Sequence, residues 1–173
     1  MKAPSDAQPL VWDDWLQQHP LAHFVYDTDS LALAAVGMVF QHLRTACHQG
    51  SNLEAREQMA LASTYAGMAF TRANVGYVHA IAHQFGGKYH TPHGLANAIM
   101  LPFVLKYSAP AITDKLAQLA VRARVGSEGE PAEVLAQKFL DAVDQLNRDL
   151  GIPTTLEALK EEDIPELAKA ACW

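Results

Sequence analysis

The sequence predicts an all-α domain with a bundle-like arrangement of several helices. Three observations carry that expectation. Apolar residues recur at three- and four-residue steps through most of the chain. Gly, Pro, Asn and Asp punctuate the pattern at spacings that suit helices. No run alternates apolar and polar residues for long enough to make a convincing strand.

Residues 1–28 read as a divergent, partly irregular segment. Pro4, Pro9, Pro20 and the acidic pair Asp13-Asp14 interrupt any long pattern, and one short helix is expected around 12–18. The helical domain is expected over 29–173. Asp29 or Ser30 can cap its first helix, whose apolar residues Leu31, Ala34, Ala35, Met38 and Leu43 share a face. Gln49-Gly50 supplies a stop near His48. Ser51-Asn52 caps a second helix, and Glu54 and Glu57 sit early in it, where the dipole favours acids. A third helix is expected over 74–85, broken by Gly86-Gly87.

The stretch KYHTPHG reads as a loop, with Pro92 favouring an extended residue before it. An apolar helix over 94–107 follows. Pro102 inside it should kink it or stand where no backbone donor is needed. Pro110 opens a helix over 111–124. A loop at 125–129 leads to an amphipathic helix over 131–150, with Val134, Leu135, Phe139, Leu140, Val143, Leu146 and Leu150 on one side. Gly151-Ile152-Pro153 ends it, and a turn at 155–159 precedes a last helix with Asp163 as cap and Pro165 near its start. Segments 31–40 and 95–105 are apolar nearly all round, so they are expected at the centre.

A length of 173 residues suits one domain with a sizeable core. With 13 Lys and Arg against 19 Asp and Glu, the formal charge is −6, which argues against a nucleic-acid partner. Half the residues are apolar and 18% are charged, which excludes disorder. Cys47 and Cys172 make no disulfide framework and suit a reducing compartment. No secretory leader is seen, and no apolar stretch reaches the roughly 20 residues of a membrane span. A soluble cytoplasmic chain is expected.

The chemistry concentrates in VGYVHAIAHQFGGKYHTPHGLANAIMLP, which holds His79, His83, His90 and His93. His79 and His83 are four apart on a helix and share a face. A turn after them could bring His93 back beside that face. Imidazole is the commonest protein metal ligand. The zinc-protease pattern H-E-x-x-H is absent, since Ala80 follows His79, and no carboxylate stands between Ala73 and Tyr107. No nucleophile elbow and no glycine-rich phosphate loop occurs.

At this window the chain strongly resembles the iron-containing (group III) alcohol dehydrogenases. GYVHAIAHQFGGKYHTPHGLANAIMLP is similar to the histidine signature of that family's C-terminal helical domain. SNLEAREQMALASTYAGMAF before it, and FVLKYSAPAITDKLAQLA and LGIPTTLEAL after it, extend the likeness over roughly residues 29 to 171. The resemblance implies an oxidoreductase of two domains. An N-terminal α/β domain binds NAD or NADP, and a helical domain holds a divalent metal, usually iron and sometimes zinc. It implies that His79 and His93 are metal ligands. It places His83 beside the nicotinamide and a small alcohol or aldehyde, with a catalytic part in binding or proton relay. His90 is not a ligand in that pattern.

The chain also departs from the family. The upstream D-x-x-x-H motif that supplies two further ligands is absent: Asp14 and His19 are five apart, and four residues after Asp13 stands Gln17. Asp13, Asp14 or His19 are the candidates to replace them. No nucleotide-binding domain is present, and the helical domain is expected to be incomplete at its C-terminal end. Two imidazoles hold a divalent ion less well than the three or four donors of stable sites. The isolated chain is therefore expected to be inactive, as part of an enzyme completed by a separate nucleotide-binding chain, and to form oligomers. The alternative is a non-catalytic helical module, or a remnant that pairs with another chain.

Overall fold

The computed structural model describes residues 23–172. Every regular element among the described residues is an α-helix or a 3-10 turn. The α-helices are α1 (His23–His48), α2 (Leu53–Ala73), α3 (Tyr77–Tyr89), α4 (His93–Ser108), α5 (Thr113–Arg122), α6 (Ala132–Asp149) and α7 (Ile164–Ala170). Single 3-10 turns occupy Ala109–Ala111 and Glu161–Asp163. The all-α expectation holds. The helix expected at 12–18 lies outside the described residues.

Helix α1 begins at His23, earlier than the expected cap at Asp29. Asp29 lies inside α1, and its carboxylate is 3.7 Å from the Lys115 ammonium on α5. Helix α2 starts as expected: Asn52 Oδ1 accepts from the Ala55 N–H at 3.0 Å. It packs along α1 as a hairpin.

The third helix runs through Gly86-Gly87 to Tyr89. An interior glycine costs only about 1 kcal/mol against alanine, which packing readily offsets. The stop is His90, left-handed at φ 54°, whose N–H donates to the Gly86 carbonyl at 3.1 Å. Pro92 then caps α4, so His93 is the first residue of a helix and not part of a loop.

Pro102 stands inside α4 and is buried. Proline has no N–H, so the Ala98 carbonyl lacks its helical donor. Asn147 Nδ2 on α6 donates to that carbonyl at 2.8 Å instead. The expected alternative, a place where the backbone donor is not needed, is therefore met from a neighbouring helix.

The centre of the fold is the α5–α6 pair. Leu116, Ala117, Ala120, Leu135, Phe139, Leu140 and Val143 are buried together, and Val36, Phe40, Leu101 and Leu105 pack against them. Phe40 and Phe139 meet with ring centres 5.6 Å apart. At Gly37 a Cβ would lie 3.3 Å from the Arg122 carbonyl oxygen, so the missing side chain lets α1 approach α5 closely. The expectation that the two most apolar segments lie at the centre holds for 31–40, where no residue is exposed and Val36 and Phe40 pack on this core, and is corrected for 95–105. On α4, Phe103 and Tyr107 are 54% and 80% exposed, because only one side of the helix faces other elements.

A second cluster joins α3, α4 and α7. Ala82, Phe85, Ala96 and Leu167 are buried, with Ile81, Tyr89, Met100, Leu156 and Leu159 against them. Asp163 precedes α7 but makes no capping hydrogen bond. Its carboxylate instead accepts from Tyr89 Oη at 2.6 Å and lies 2.7 Å from Lys88 Nζ. Lys88 also reaches Glu166 at 2.6 Å, so one ammonium ties α3 to both carboxylates.

Candidate metal centre

The α3–α4 junction gathers the three histidines that the sequence singled out. His79 stands in the first turn of α3, His83 one turn further on, and His93 at the start of α4. The ring centres are 6.0 Å apart for His79 and His83, and 5.3 Å apart for His93 with each of the others. Ala82 and Ala96 are wholly buried where α3 and α4 meet, and these small side chains permit the close approach.

The three rings differ in environment. His79 is half-buried, while His83 and His93 are exposed. Phe70 of α2 stands near His79, ring centres 6.4 Å apart. Burial, and then the neighbouring His93 and His83, hold the His79 imidazolium below its ordinary pKa. His79 therefore keeps a lone pair at neutral pH, which is the form that ligates a metal.

A metal bound about 2.1 Å from an imidazole nitrogen lies roughly 3.2 Å from the ring centre. Two tetrahedral imidazoles then have centres roughly 5.3 Å apart. The His79–His93 spacing meets this, and so does the equal His83–His93 spacing, so ring separation is compatible with either pair as donors. Yet among the described residues no group of three or more His, Cys, Asp or Glu is arranged to hold a metal ion. Asp13, Asp14 and His19, the candidates for further ligands, lie outside the described residues. His90 is exposed and spends its backbone on ending α3.

A cavity of about 550 Å³ opens beside His79. Phe70, Val75, Tyr77, Ala98, Leu101 and Val104 give it largely apolar walls, and Asn97 adds an amide. Sequence reasoning missed Phe70 and Asn97. Asn97 carried a usable signal, since it lies four residues after His93 and so shares its face. Phe70 is brought in by the α2–α3 connection, which no spacing rule foretells.

The fold and site together define a class: an all-helical domain that presents clustered histidines and an apolar cavity where two helices meet. The comparisons with known proteins identify it. The family model described as the Fe-containing alcohol dehydrogenase family, C-terminal, matches residues 26–172, and the chain belongs to that family. It is 46% identical over 146 residues to the 1,3-propanediol dehydrogenase of Klebsiella pneumoniae, covering 83% of this chain and 38% of the relative. It is 40% identical over 146 residues to the lactaldehyde reductase of Escherichia coli K12, again over 83% of this chain and 38% of the relative. The crystal structure of a 1,3-propanediol oxidoreductase superposes with a TM-score of 0.81 at 45% identity, covering 83% of this chain and 38% of that one. An alcohol dehydrogenase from Oenococcus oeni superposes with a TM-score of 0.79 at 36% identity, covering 89% and 39%. The chain thus spans about two fifths of the length of these relatives. No helix among the described residues is long and apolar enough to cross a membrane.

Proposed function

We propose that this chain supplies the metal-holding helical portion of an NAD- or NADP-dependent oxidoreductase acting on a small alcohol or aldehyde. The carrying observation is the convergence of His79, His83 and His93 at the α3–α4 junction of a chain in this family.

His79 and His93 each offer a ring nitrogen to a divalent ion, iron or, as the alternative, zinc. The half-buried His79 is held neutral by burial, and then by the neighbouring His93 and His83. When bound, the ion polarises the substrate oxygen and lowers the pKa of an alcohol, the Lewis-acid role of metals with an open position. His83 stands exposed at the rim of the cluster, where it can hydrogen-bond substrate and move its proton to solvent. Phe70 and the apolar cavity walls give the His79 side an apolar lining. The nicotinamide is positioned by a nucleotide-binding unit that works beside these helices, which in our reading is a separate chain. Exposed Met68, Phe70, Phe103 and Tyr107 offer apolar surface for that association, or for a homo-oligomer. The two free, exposed cysteines suit a reducing, cytoplasmic setting.

An anaerobic titration of metal-free chain with Fe²⁺ and with Zn²⁺ tests the ligands. Binding should weaken in both His79→Ala and His93→Ala. Binding that survives in either variant removes that residue from the set. NADH oxidation with a short aldehyde and added Fe²⁺ should be absent for the chain alone. Robust turnover abolished by His79→Ala would overturn the need for a second chain.

A further inference from the structure

We propose that Asn97 is a positioning residue that fixes which nitrogen His93 presents, holding Nε2 as the lone-pair nitrogen and Nδ1 as the protonated one. Its bearing on metal binding rests on the reading of His93 as a ligand; the assignment itself does not.

Asn97 lies one helical turn after His93, so the two side chains share a face of α4. Asn97 Nδ2 donates to the His93 backbone carbonyl at 2.9 Å and stands 3.1 Å from His93 Nε2. Turning the amide over would set Oδ1 against that carbonyl oxygen, acceptor against acceptor. The carbonyl therefore determines the orientation of the amide. An amide nitrogen can only donate, so Nε2 must accept. A neutral imidazole carries one hydrogen, which then belongs to Nδ1. Free histidine in water favours the opposite tautomer, so the protein sets the state against the intrinsic preference of the ring.

Asn97 Oδ1 is buried and has no hydrogen-bond partner, so the hydrogen bonds of this side chain are those of its donor end, both to His93. A metal arriving at the cluster would meet His93 with Nε2 already free of a proton. The amide can release Nε2 and keep its bond to the carbonyl. Partners that set the tautomer and orientation of a ligating histidine are a general feature of metal sites.

Long-range ¹H–¹⁵N NMR of the metal-free chain, above the imidazole titration range, reads the tautomer directly, with His93→Gln to assign the signals. His93 should show Nδ1–H. Asn97→Ala should move it to Nε2–H. Asn97→Asp sets an acceptor against Nε2 and should also place the hydrogen there. An Nε2–H tautomer in the unaltered chain overturns the proposal, as does a tautomer unchanged in both variants. The sample contains no metal, so a failed Fe²⁺ or Zn²⁺ titration would count against His93 as ligand and leave this result standing.

Discussion

Ala96→Leu strikes the joint that brings the histidines together. Ala82 and Ala96 are wholly buried between α3 and α4, in one cluster with Phe85 and Leu167. Leucine adds three carbons at a position with no solvent-facing side, so Phe85, Leu167 or α4 itself must shift. Overpacking of this kind costs about 1–3 kcal/mol. At about 2–4 °C per kcal/mol for a chain of this size, the melting temperature should fall by roughly 2–12 °C. The same displacement widens the 5.3 Å separation of His79 and His93. Losing support behind a metal ligand typically costs about 10- to 100-fold in affinity, so Zn²⁺ binding should weaken by at least roughly tenfold. Thermal melts by circular dichroism and competition with a chromogenic chelator read the two effects. Ala60→Leu, on an exposed position of α2, is the control and should stay within about 0.5 kcal/mol of the parent. If Ala96→Leu melts with the parent and binds Zn²⁺ equally well, the α3–α4 contact does not hold the cluster together.

Leu116→Ala removes a wholly buried side chain from the α5–α6 centre and should cost about 2–5 kcal/mol in urea unfolding. It should leave Zn²⁺ affinity of the folded chain intact, since Leu116 is not in the cluster beneath the histidines; a loss below about 1 kcal/mol would place the centre elsewhere. Acid should loosen α7. Lys88, and then Tyr89, hold the Asp163 carboxyl below its ordinary range, so the folded chain keeps it ionised where the unfolded chain takes up a proton. That contribution is complete above about pH 4 and is lost as pH falls through the lowered folded value. Amide exchange over 164–170 should therefore quicken in acid, and Asp163→Asn should remove that dependence. An acid response identical in the variant would show that the carboxylate ties down nothing.

The helices were legible where local chemistry decides. Asn52 caps α2 as its side chain suggests, and the amphipathic 131–150 pattern gives α6 almost to the residue. Local rules failed where tertiary contacts outweigh them. Gly86-Gly87 reads as a break, yet α3 runs through it to the left-handed His90. Asp163 reads as a cap, yet it spends its carboxylate on Lys88 and Tyr89, far away in sequence. Apolar content around 95–105 reads as burial, yet α4 leaves Phe103 exposed because it is a side of the bundle. The histidine cluster was legible because it is local, with all three rings on two consecutive helices. Phe70 was not, because its approach depends on how α2 hands the chain to α3.

Pro102 and Asn147 form a defect and its repair on two different helices. Neither residue makes sense alone. An alanine at 102 restores the helical donor to Ala98 and leaves the Asn147 amide to find another acceptor. A leucine at 147 strands a part-buried carbonyl that proline has already deprived of its partner. Each step by itself passes through a less favourable intermediate, while the double change is close to neutral. Over descent the two positions should therefore behave as one inherited unit, retained together or exchanged together. The same logic fixes the register of α4 against α6: one turn of sliding would separate the orphaned carbonyl from the amide that meets it.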